Sequence, residues 1–195
     1  MGAHRRRIWS EHVPYGRLLA PDLLQMLSSR GLSLSVAVHP DEVVSLREVV
    51  DACQMHGVPL WLWPLLDDAQ GRWLSDCNYG AFADHVRRVL RALAPGAEVQ
   101  GIVFDLEPPI GVVRAPTLGK ERVTWLLRRR RAEPFLRELR YLTSDVRARK
   151  MEAIAAVPPV VLWDGDPKGA WQRFLGTPIS NGLFDRVHVM AYTSL

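Results

Sequence analysis

The sequence predicts an α/β fold: a parallel (β/α) barrel of the TIM type, about six of eight strand–helix units, in one domain over residues 1–195. Three observations predict it. Apolar runs of strand length alternate with amphipathic helical patterns along the chain, as in a parallel sheet covered by helices. Acids or aromatics stand at the ends of many strands (Glu11, His39, Asp67, Asp105, Glu107, Trp163 and Tyr192), as they do where a barrel mouth gathers functional groups. The first strand–helix turn also lacks the glycine-rich fingerprint of a doubly wound nucleotide-binding sheet.

The first strand is read at Arg7 to His12, and Pro21 then opens a short helix with Leu23, Leu24 and Leu27 on one stripe, closed by Gly31. Leu32 to His39 is the second strand. After Pro40, Asp41 is placed to cap a helix whose buried face is Leu46, Val49, Val50 and Cys53. Val58 to Leu66 is the third strand, followed by the polar loop Asp67 to Trp73. Phe82, Val86, Val89, Leu90 and Leu93 mark the next helix, which Pro95 and Gly96 end. The fourth strand starts at Val99 and carries Asp105 and Glu107. An irregular stretch from Pro108 to Gly119 leads into a long basic helical region with Phe135, Leu139, Leu142 and Val146 at helical spacing. Glu152 to Val157 is the fifth strand, Trp171 to Leu175 a short helix, and Arg186 to Tyr192 the sixth strand. A complete barrel takes about 250 residues, so two further units are expected beyond Leu195.

Composition narrows the class. With 48% apolar and 24% charged residues the chain is an ordinary globular sequence. Its apolar runs are strand-sized, far short of the roughly 20 residues of a membrane span, and no signal peptide follows Arg5, Arg6 and Arg7. Neither membrane attachment nor export is expected from the chain as given, and a cytoplasmic location is the default. The net charge of +4 comes largely from arginines such as Arg128 to Arg131, but acids are interspersed and no stacking platform accompanies them, so no nucleic-acid partner is expected. Cys53 and Cys77 make neither a metal spacing nor a disulfide framework. No pair of histidines has metal spacing, and no cofactor is implied.

The chemistry concentrates at the fourth strand. Side chains alternate across a strand, so Gly101, Val103, Asp105 and Glu107 share one face, and two acids stand side by side before Pro108. When both are ionised they repel, which raises at least one pKa and suits a proton donor near neutrality. Trp61 and Trp63 share a face of the third strand, and Trp73 and Trp163 lie in or beside mouth loops, where aromatic rings can stack on a sugar. Glu11 and Asp67 complete the expected lining.

The run Gln100-Gly101-Ile102-Val103-Phe104-Asp105-Leu106-Glu107 resembles the D-G-x-D-x-D-x-E pattern of the family-18 glycoside hydrolases, the chitinases and endo-N-acetylglucosaminidases. Met190-Ala191-Tyr192-Thr193 is similar to that family's M-x-Y-D on the sixth strand. The resemblance implies hydrolysis of N-acetylhexosamine-containing oligosaccharides or polysaccharides by substrate-assisted retention. Glu107 would be the general acid, Asp105 the group orienting the acetamido nitrogen, and Tyr192 the donor to its oxygen. Glu11, Trp63, Asp67, Trp73, Trp163 and Met190 would bind the substrate. Val103 and Thr193 stand where the family has aspartates, and the third strand lacks its S-x-G-G signature. Two alternatives follow from the residues: a non-catalytic carbohydrate-binding barrel, or a metal-dependent phosphodiesterase-type barrel with Glu11, Asp105 and Glu107 as oxygen ligands.

Overall fold

The computed structural model describes residues 6–114, 132–164, 169–179 and 182–191. Six strands form one sheet in sequence order: β1 (Arg7–Ser10), β2 (Ser33–Val38), β3 (Leu60–Pro64), β4 (Val99–Asp105), β5 (Glu152–Val157) and β6 (Arg186–Val189). Every neighbouring pair is parallel. The helices are α1 (Tyr15–Leu18), α2 (Pro21–Ser29), α3 (Leu46–Met55), α4 (Tyr79–Ala92), α5 (Ile110–Arg114), α6 (Ala132–Ala148) and α7 (Ala170–Leu175). The architecture is the expected incomplete (β/α) barrel. Among the described residues no helix is long and apolar enough to cross a membrane.

Strand alternation divides the buried residues into two layers. Leu34, Val36, Leu62, Ile102 and Phe104 point outward and belong with α-helical residues such as Leu27, Val49, Phe82 and Leu139 to the main core. Ala37, Trp63, Leu65, Val103, Ile154 and Ala156 point inward as a second, smaller cluster. Because both faces are covered, all six residues of β2 are buried, as in other parallel sheets. Strands β1 and β6 have one sheet neighbour each, and their residues are mostly partly or fully exposed.

The register is staggered. Trp9 pairs with Ser35, Ser35 with Trp61, Trp61 with Gly101 and Gly101 with Glu152, so the third residue of β1 lies level with the first of β5. This is the stagger that tilts strands in a barrel. The register between β3 and β4 also shifts at Leu60/Trp61, where Gln100 is left over as a bulge. Next to it, a Cβ on Gly101 would overlap the Glu152 carbonyl oxygen, so β4 and β5 approach closely only because residue 101 is glycine.

Helix α4 packs on α6 through Tyr79 and Phe135, ring centroids 5.9 Å apart, and through an ion pair of Arg87 with Glu138. It is also tied to β2, since fully buried His85 donates its Nε2 hydrogen to the Val38 carbonyl at 2.7 Å. Burial holds that imidazole below its ordinary pKa, in the neutral form. Cys53 is buried in α3, as its place on the apolar stripe predicts, and Cys77 is exposed.

Candidate functional site

The C-terminal ends of the strands open into a cavity of about 800 Å³. Its wall runs from Arg7, Trp9, Glu11 and His12 on β1 and the segment after it, past Trp63 and Asp105, to His188 and Met190 on and after β6. This size suits a small-molecule ligand. The inner face is also unusually polar for a barrel interior. Arg7 Nη1, the Ser35 hydroxyl, the Trp61 and Trp63 indole nitrogens, Asp105 Oδ1 and Glu152 Oε2 are all buried with no hydrogen-bond partner among the described residues. Buried polar atoms are costly unless something meets them, so an inner face that carries six of them is suited to a polar ligand or bound solvent.

Asp105 closes β4 and is 2% exposed. Its carboxyl is held well above the usual range, first by burial and then by the negative charges of Glu107 and Glu11. The Arg72 guanidinium opposes that shift without reversing it. That shift favours the protonated form of Asp105, which can donate a hydrogen bond from the cavity wall. Its backbone carbonyl accepts from Leu74 N at 2.9 Å, which fixes the strand end against the loop after β3.

Glu107 lies two residues past the strand end. β4 stops at Asp105, Leu106 forms an isolated bridge to Leu74, and of the two acids Asp105 is the one that lines the cavity. The two acids still sense one another electrostatically. Burial lifts Glu107 from 4.5 to about 7, the range in which a carboxyl can both give and take a proton at neutral pH.

Glu11 lines the cavity but is not free to act alone. It forms an ion pair with Arg72, whose other nitrogen binds Asp68 at 2.7 Å, and Asp68 also holds Arg114 at 3.0 Å. Arg72 is the site residue that the sequence reading missed. It sits in the left-handed region at φ 62°, just after Gly71 at φ 96°, in a tight turn pinned by Asn78 side-chain bonds to Gln70 O and Trp73 O. A lone arginine in a polar loop carries no spacing signal, so its partner could be seen only in three dimensions.

The remaining candidates separate. Trp63 is buried on the inner face with the Trp9 ring against it edge-on, centroids 5.2 Å apart. Trp73 packs partly buried against the inner cluster, and Met190 does so while lining the cavity. Asp67 is exposed, and its backbone carbonyl accepts from Gln70 N and Arg72 N to shape the turn. Trp163 is 75% exposed on a short 3-10 turn after β5 and does not line the cavity. Tyr192 and Thr193 lie outside the described residues. As for a metal, no three His, Cys, Asp or Glu side chains among the described residues are grouped to hold one.

No protein-family model matches the chain, and no curated protein matches it. Solved structures similar to it include an AP endonuclease, family 2, from Brucella melitensis, at 11% identity over 83% of this chain and 58% of that one, TM-score 0.46. Another is D-threonine aldolase from Filomicrobium marinum, at 18% identity over 94% of this chain and 42% of that one, TM-score 0.44. The chain spans about half the length of these two proteins. These findings correct the expected kinship with the family-18 glycoside hydrolases. No family model supports it, and the similar structures named are of other kinds. Two short motifs on a common barrel scaffold can coincide without kinship, because strand-end acids and inward aromatics recur wherever this fold builds a mouth.

Proposed function

We propose that this chain carries the acid–base pair of a (β/α)-barrel enzyme acting on a small polar molecule held in the cavity. Glu107, which stands outside the cavity lining, moves the proton by way of Asp105, the acid that faces the substrate. Asp105, kept neutral, donates a hydrogen bond to the substrate and so fixes or polarises the reacting group. The observation that carries this reading is the Glu107 carboxyl, lifted by burial to about 7, two residues past Asp105, whose own carboxyl is raised at the end of β4. Groups tuned in this way cluster at catalytic sites, because keeping a carboxyl in such surroundings costs stability that packing alone would avoid.

A second reading is favoured by one further observation: Glu11 and Glu107 both push Asp105 upward. Three carboxylates that repel one another would be relieved by a divalent cation, as in a metal-dependent phosphodiesterase-type enzyme. That reading requires Glu11 to leave Arg72 and the three carboxyls to close up, since among the described residues no three such side chains are grouped to hold a cation.

The two are separated with a panel of chromogenic esters, glycosides and phosphodiesters, assayed with and without EDTA. The acid–base reading predicts turnover that survives EDTA, has a pH limb near 7, and falls about 10²–10⁴-fold in Glu107→Gln. Loss of phosphodiester turnover with EDTA, and its return with Mg²⁺ or Mn²⁺, would assign the metal-dependent reaction instead. Binding of a chito-oligosaccharide without turnover of any substrate would overturn both readings in favour of a carbohydrate-binding barrel.

A further inference from the structure

The inner wall of the cavity has a second charged region, remote in sequence from the acids of β4. Strand β1 turns Arg7 and Trp9 inward, and β6 turns Arg186 and His188 inward to meet them. The Arg7 guanidinium lies 3.7 Å over the Trp61 ring, which supports it on one face, while its Nη1 is buried with no acceptor. His188 stands against the Trp9 ring at 6.3 Å, and Arg7 and His188 both line the cavity.

The charges do not balance. Among the described residues the carboxylate that meets this group is Glu152, which acts on Arg7 and is already bound to Arg186 at 2.9 Å. Burial and the two arginines hold His188 below its ordinary pKa, and burial draws Arg7 down to about 10. An anion placed between a half-buried guanidinium and an imidazole stabilises the guanidinium's charge and favours protonation of the imidazole. A guanidinium carbon 3.7 Å over an indole ring is held by that ring on one side, and its N–H groups suit the oxygens of an oxyanion.

We propose that Arg7 and His188 form an anion subsite that takes an oxyanion group of the ligand, a phosphate or a carboxylate. This deepens the reading of the cavity as a substrate site: the anion anchors one end of the molecule at β1 and β6 and leaves the other end to Asp105 and Glu107. Arg186 stands behind as a second positive charge.

The test follows the His188 imidazole resonances by NMR, assigned with His188→Gln, while inorganic phosphate or acetate is added at constant ionic strength and pH 7. Saturable shifts with phosphate or with acetate are expected, and the tighter of the two identifies the group. Arg7→Met should weaken that binding at least tenfold, and His188→Gln, followed by calorimetry, should also weaken it. Glu107→Gln should leave it unchanged, so failure here is distinct from failure of the acid–base reading. Shifts no different from those with chloride, or full binding retained in folded Arg7→Met or His188→Gln, would overturn the subsite.

Discussion

Glu107→Gln is expected to be more stable than the native protein at pH 8, by up to about 3 kcal/mol, and equal to it near pH 4. The unfolded chain releases the Glu107 proton near 4.5, whereas the folded protein keeps it to about 7. Between those values the folded state binds more protons than the unfolded state, so stability falls as pH rises. The cost is absent below 4.5 and complete above about 7. Asp105, also raised, acts in the same direction. A glutamine has no proton to lose, so the variant should show a flatter profile over this window. Urea denaturation from pH 4 to 8 reads the effect directly; parallel profiles for the two proteins would mean that Glu107 is solvated like any surface carboxylate.

Phe104→Ala is expected to cost about 3–5 kcal/mol, although Phe104 touches neither the cavity nor a charged group. It is fully buried on the outer face of β4, with ring centroids 6.5 Å from Phe82 of α4 and 5.7 Å from Phe184 before β6. This outward layer holds the strand end from behind, and Asp105 is the next residue. The substitution should lower the urea midpoint steeply and blunt the pKa shift of Glu107 in whatever fraction stays folded. A loss under about 1 kcal/mol would show that the helix layer collapses around the gap and that β4 is held mainly by its strand neighbours.

The fold was legible because its signals are local and repeated. Six apolar runs with helical patterns between them leave little besides a parallel sheet, and the alternation along β2 to β5 assigns the inner and outer residues correctly. The acids of β4 were legible for the same reason. Where the strand ends was not legible: β4 stops at Asp105, and past it the bridge of Leu106 to Leu74 remains, so Asp105 and not Glu107 lines the cavity. Arg72 and the charged pair Arg7 and His188 were not legible as site residues. Their meaning depends on a turn with left-handed geometry in one case, and in the other on first and last strands that curl toward each other. Trp163 misled because an aromatic near a strand end reads as mouth-facing, while the 3-10 turn after Pro158 carries it into solvent.

The central claim is that burial has made Glu107 a neutral-pH proton-transfer group. Its side-chain carboxyl can be titrated by carbon-detected NMR from pH 3 to 9, with Glu107→Gln identifying the resonance. The account predicts a midpoint at about 7. A midpoint at the ordinary glutamate value near 4.3 would contradict it.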